Sequence, residues 1–188
     1  MKKLLFLMLA IFISQFLFCS ALYDFTYYFL KQNKVPEQHA VIMAKVLDEE
    51  TKIVPSIIDP LFILAFGLTE TGFVNTFGDN GKAVGYFQIH ENAVFYVANF
   101  YQDVREFKAK HRSHADLIRY PDWQLRIAYR YIFLSLKNIH GWDITKAISA
   151  YNGRRDKYNE YTVKFFKNYS EIIRQYMNFN QTLAQSRK

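Results

Sequence analysis

The sequence predicts a mainly α domain with one small irregular or extended segment near residues 75–90, and three observations carry that reading. Only seven glycines and four prolines punctuate 188 residues, too few for many short strands. Proline-led helix starts stand ahead of apolar runs at Pro36, Asp59-Pro60 and Pro121-Asp122. The chain is 51% hydrophobic and shows no repeat or low-complexity stretch, so it can bury one sizeable core.

Taken in order, the first element is a targeting segment. Lys2-Lys3 precede an apolar run from Leu4 to Phe18, broken only by Ser14 and Gln15, and Cys19-Ser20-Ala21 then offers small residues for cleavage. A signal peptide of residues 1–21, cut after Ala21, leaves residues 22–188 as a single domain in the periplasm or cell envelope. The cut removes Cys19, the only cysteine, so the mature chain holds no thiol. A lipoprotein anchored at Cys19 fits less well, because Phe18 is bulky where a small residue is wanted. An uncleaved anchor would be short, since a membrane span needs about 20 apolar residues.

Helices are expected over Leu22 to Gln32 and over Pro36 to Glu50, the second carrying Val41, Ile42, Ala44, Val46 and Leu47. Asp59 as N-cap and Pro60 at the first helical position start a helix to about Thr69. Gly78-Asp-Asn-Gly81 is a turn signal, and Val84 to Ile89 reads as a short extended segment. Helices resume over Ala93 to Lys110, Asp122 to Asn138, Asp143 to Tyr151 and Asn159 to Phe179. Ile127, Tyr131, Leu134 and Ile139 supply a buried stripe of ordinary core in the Asp122 helix.

Glu70 is the one residue in this pattern that needs a chemical reason. It comes directly after the apolar run Leu61 to Thr69, near the negative end of a helix dipole, with Phe66, Phe73 and Phe87 as candidates to desolvate it. Both effects raise a carboxyl pKa, and a glutamate protonated near neutral pH is a general acid. A solvated glutamate at a fraying helix end is the competing reading.

Four blocks then stand in order: Glu70-Thr71, Gly85-Tyr86-Phe87-Gln88, Ala150-Tyr151-Asn152-Gly153, and Tyr161 with Tyr158 as its rival. Together they resemble the soluble lytic transglycosylase family, lysozyme-like enzymes that cut peptidoglycan and are related to goose-type lysozymes. The resemblance spans roughly Leu61 to Phe165. Thr71 stands where the family has serine, and Gly153 comes directly after Asn152 where the family interposes a residue. The resemblance implies a lysozyme-like fold, a cleft between the Glu70 region and the later helices, and one glutamate acting first as acid and then as base. The N-acetyl group of the muramic sugar would assist departure, and the sugar's 6-hydroxyl would close a 1,6-anhydro ring in place of water. No metal or other cofactor is required.

The supporting residues carry chemistry of their own. Gln88 and Asn152 offer donors and acceptors suited to sugar hydroxyl or acetamido groups, and Thr71 keeps a hydroxyl for the substrate or the cleft. Tyr151 and Tyr161 offer an aromatic wall and a phenol to orient Glu70, and Gly85 lets the backbone approach the sugar. Asp79 stands open between two roles. It is either a residue of an Asp-Asn-Gly turn bonded to its own backbone or a second carboxylate that positions water, as an inverting separation of about 6.5–9.5 Å from Glu70 would permit. His111 and His114 lack a third ligand nearby and read as exposed rather than metal-binding.

The formal charge of +7 suits a partner that is polyanionic, and for an exported protein that is the cell envelope. Arg105, Lys108, Lys110, Arg112 and Arg119 cluster in sequence as a solvated face, while export argues against nucleic acid. The expected partners are peptidoglycan glycan strands, with a secretion or conjugation apparatus as a further candidate, and the expected state is a monomer. A muramidase hydrolysing the same bond and a non-catalytic wall-binding or assembly protein are the alternative functions.

Overall fold

A short helix, apolar from Leu61 to Leu68, forms the centre of the molecule. In the computed structural model, which describes residues 21–54 and 58–186, α3 (Leu61–Glu70) buries nearly every side chain from Leu61 to Thr69. A helix apolar all round has no solvent face to offer, so other helices must enclose it. Asp59 opens it as expected, its carboxylate accepting from Leu61 N–H at 2.8 Å, and Pro60 already has helical backbone.

The other elements are α1 over residues 21–32, α2 (Glu37–Ile53), α4 (Glu91–Ala98), α5 (Gln102–Lys110), α6 (Pro121–Asn138), α7 (Ile144–Tyr151) and α8 (Glu160–Ser186). A small antiparallel sheet lies between α3 and α4, in the order β1 (Phe77–Gly78), β2 (Ala83–Val84) and β3 (Ile89–His90). In register, Phe77 faces Val84, and Val84 faces Ile89. The protein is therefore mainly helical with one small sheet in the segment where irregular structure is expected. Among the described residues no helix is long and apolar enough to cross a membrane. The signal-peptide and Cys19 readings fall on residues 1–20, outside the described part.

Four expectations change. The helix expected from Ala93 to Lys110 is two, because the chain breaks at Asn99–Tyr101, where Tyr101 is extended, and α5 restarts with Asp103 in its first turn. The segment Val84 to Ile89 is not extended: Gly85 and Gln88 both adopt left-handed backbone, so the intervening residues turn the chain from β2 back into β3. The last helix runs on to Ser186, its distal part held where Tyr176 and Phe179 pack edge-on to Phe25 of α1. Ile139 is 55% exposed, lying past the end of α6 rather than on its buried stripe.

Two packings place the site. α8 runs antiparallel to α3, as the two ends of the contact show: Tyr169 donates to Asp59 at the start of α3, and Tyr161 donates to Glu70 at its end. Phe165, midway between them, packs edge-on to Phe62 and tilted against Phe66, with ring centroids at 4.9 and 4.5 Å. Positions 161, 165 and 169 repeat every four residues and share one helix face, so a single register sets the whole contact. α6 packs on α2 through a buried charge network, in which Arg130 donates to both oxygens of the fully buried Glu50 at 2.6 and 2.9 Å and also to Asp103 of α5. Satisfied on both sides, this network is tolerated inside the core, whereas either partner alone would be strongly destabilising.

Candidate active site

Glu70 is the last residue of α3, and the turn immediately after it explains its position. Left-handed Gly72 and Phe73 reverse the chain there, with Thr71 N–H and Phe73 N–H both returning to Gly67 C=O. Gly67 is required by that reversal, since a Cβ on it would overlap the Phe73 ring. The carboxylate is thereby held at a corner of the core rather than on a fraying end. Burial pushes its pKa up from 4.5 to about 7, while the Tyr161 hydrogen bond and the charge of Lys164 pull in the opposite direction. Desolvation wins because few groups face the carboxylate to replace lost water. At neutral pH a substantial fraction of Glu70 therefore carries a proton it can donate.

Tyr161 settles the choice between two tyrosines. Its hydroxyl donates to Glu70 Oε1, whereas Tyr158 is 84% exposed on the preceding loop. Burial and the adjacent glutamate raise the Tyr161 pKa far above the ordinary phenol range, so it stays a donor throughout the physiological range. Asn159 starts α8 by a reciprocal cap, with Thr162 N–H on its side chain and its own N–H on Thr162 Oγ1, and this orients the first turn that carries Tyr161. Replacing Tyr161 by Phe removes a bond that favours the ionised carboxylate. The Glu70 pKa should then rise and the alkaline limb of any pH–activity profile should move upward, with turnover falling about tenfold. A profile left in place by Tyr161→Phe would show that the phenol does not tune Glu70.

The Gly85-to-Gln88 turn forms another wall, and its residues differ in role. Gln88 lines the cleft, but both of its bonds from Nε2 run to backbone carbonyls, those of Gly85 at 2.9 Å and Thr76 at 3.2 Å. Gly85 packs against the protein itself. It adopts φ +82°, and a Cβ there would overlap the carboxamide of Gln124, a wholly buried residue of α6. That carboxamide accepts from Tyr86 N–H at 2.8 Å and donates to Leu117 C=O at 2.9 Å and Asn75 Oδ1 at 3.1 Å. Thr71 likewise serves the scaffold: its hydroxyl donates to Tyr86 C=O at 2.9 Å, tying the end of α3 to the turn. Gly85 and Thr71 thus both support the wall, and for Thr71 this is the cleft role that the sequence leaves open beside substrate contact.

The cleft between these walls has a volume of about 590 Å³. Glu70, Asp79, Gln88, Tyr131, Tyr151 and Asn152 all line it. Tyr151 stands against Phe66 at 4.4 Å and donates to Phe87 C=O at 2.7 Å, so it braces the turn and forms the aromatic wall, while Tyr161 alone of the two bonds Glu70. Asn152 is exposed at the end of α7, where its amide can meet a ligand. Asp79 both turns the chain and faces the cleft. Its backbone carbonyl accepts from Lys82 N–H at 3.1 Å, and its carboxylate lies 3.9 Å from His90 Nε2.

Tyr131 reads in the sequence as plain core, yet it is a cleft residue, 5.9 Å from Tyr151. Its place on the apolar face of α6 hides it, because helical periodicity cannot tell a face packed on core from one lining a groove. Gln124 has one signal, a polar residue within that apolar helix. His90 and Asn92 also line the cleft and have none. His111 and His114 are half-buried rather than exposed: His111 stacks on Phe107 and Tyr120, and His114 Nε2 meets Ile89 C=O at 2.9 Å. Among the described residues no group of three His, Cys, Asp or Glu is placed to hold a metal ion.

No protein-family profile, curated protein or solved structure matches the chain. The functional reading therefore rests on the chemistry of the cleft.

Proposed function

We propose that this protein is a peptidoglycan lytic transglycosylase of lysozyme-like fold, acting in the periplasm or cell envelope. The bond cut is the β-1,4 linkage between N-acetylmuramic acid and N-acetylglucosamine, and the product ends in a 1,6-anhydro muramic sugar. The observation that carries this reading is Glu70 itself, a desolvated carboxyl with a pKa of about 7, bonded by Tyr161 and lining a cleft of about 590 Å³. A carboxyl tuned to that value donates a proton to the leaving oxygen and, once ionised, takes one back from the attacking 6-hydroxyl. The acetamido group of the same sugar supplies the assistance that a second carboxylate gives in most glycosidases. Tyr131 and Tyr151 offer faces for sugar rings, and Gln88 and Asn152 offer polar edges.

Asp79 favours a second reading, hydrolysis by a lysozyme-type muramidase, because it lines the same cleft as Glu70. The products separate the two. Transglycosylation releases anhydro-ended fragments one water lighter than hydrolysis products, and Asp79→Asn keeps most activity. Mass spectrometry of fragments released from purified sacculi in heavy-oxygen water makes the test. Label at reducing ends, with activity lost in Asp79→Asn, would replace the transglycosylase by the muramidase. No fragments at all from a well-folded protein would leave the wall-binding alternative.

A further inference from the structure

Asn152 and Gly153 line the cleft, and the next two residues are the exposed arginines Arg154 and Arg155. Gly153, at φ +72°, turns the chain out of α7 at that point. The connection they occupy is pinned on both sides. Gly153 N–H returns to Ala150 C=O at 2.9 Å and Arg154 N–H to Ser149 C=O at 3.1 Å, while the Ser149 hydroxyl and the Asn159 amide both hold Asp156 C=O. The nearby Lys157 is neutralised by Asp143. Neither arginine side chain has a hydrogen-bond or ion-pair partner among the described residues.

The chemistry of the groove gives these cations a purpose. Asp79 places a carboxylate in it, which repels an anionic strand, and a cationic rim beside the groove offsets that repulsion. We propose that Arg154 and Arg155 form an anion-reading rim that binds carboxylates carried by the glycan strand, so that charged strands are preferred over neutralised ones. Planar guanidinium groups suit this task because they bind carboxylates through paired hydrogen bonds. A pinned loop leaves less ordering entropy to lose on contact. The inference rests on the proposed wall-cleaving function for its substrate, and it concerns recognition rather than the bond-cutting step.

The test compares wild type with the Arg154→Ala/Arg155→Ala double variant on amine-acetylated sacculi and on the same sacculi further amidated at their carboxyls. Turnover and cosedimentation are both measured. The expected result is a preference of about fivefold for the carboxylate-bearing sacculi, as two exposed ion pairs would give. It should vanish at about 1 M salt, where screening acts within about 3 Å. The double variant should lose the preference while its turnover of amidated sacculi stays unchanged. Equal use of both substrates by wild type, or a preference surviving in the double variant, would overturn the rim. In stem-bearing strands the lactyl carboxyl is tied up as an amide, so the carboxylates read there are those of the peptide stem. Absence of turnover in every arm would count against the catalytic function alone, because cosedimentation still decides the rim.

Discussion

Glu70→Gln should lower wall-degrading activity by at least about 10²-fold while leaving the fold intact, the largest single effect expected in this protein. The substitution keeps the shape of the side chain and a carbonyl to accept from Tyr161, but removes the only proton that the buried group can exchange. Wild-type activity should fall as pH rises through about 7, where Glu70 ionises and ceases to be an acid. Stability gives an independent readout. Because the folded-state pKa lies above the ordinary 4.5, the folded protein holds a proton that the unfolded chain has released, and stability drops as pH climbs between those values. Glu70→Gln escapes this loss. It should be more stable than wild type above pH 7, by up to about 3 kcal/mol, and should converge with it below about pH 4.5. Near-native activity together with an unchanged stability–pH curve in Glu70→Gln would remove the glutamate from the mechanism.

Gly85→Ala should be the most disruptive small substitution in the cleft wall, costing roughly 3 kcal/mol. Two causes add at this position. The backbone sits at φ +82°, which alanine adopts only with strain, and the new methyl overlaps the buried Gln124 carboxamide. Moving that carboxamide breaks its bonds to Tyr86, Leu117 and Asn75, and these hold the turn that presents Gln88. Gly81→Ala isolates the first cause, since Gly81 is at φ +87° with nothing within 4 Å of an added Cβ. It should cost about 1 kcal/mol. Denaturant unfolding of both variants checks the difference, and activity should fall with Gly85→Ala even where the protein remains folded. Equal losses at the two glycines would mean that Gln124 does not constrain the turn.

The contrast between these glycines shows how far the sequence can be read. Gly81 belongs to a turn signal, whereas Gly85 falls in a stretch that reads as extended, and its left-handed backbone shows only in the structure. That Gly85 packs against a residue 39 positions away is not a local property, and so the sequence points to a ligand there rather than to Gln124. Thr71 is open between substrate and cleft for the same reason, since its partner is the backbone of Tyr86, 15 positions away. The break at Asn99–Tyr101 escapes notice because apolar residues continue through it without a proline or glycine.

By itself the sequence determined the helical class, most element starts and the place of Glu70 at a helix end, because caps, prolines and apolar periodicity act over one or two turns of chain. Asp59, Pro121, Asp143 and Asn159 all mark helix starts in the structure. Only the tertiary structure decided which tyrosine meets Glu70, how strongly that carboxyl is desolvated, and that Asp79 and Tyr131 share its cleft. Those outcomes depend on the antiparallel register of α8 on α3 and on the docking of α6 beneath the 85–88 turn. Both are set by packing between segments many residues apart, where each contact is specified jointly by two surfaces and by neither sequence alone.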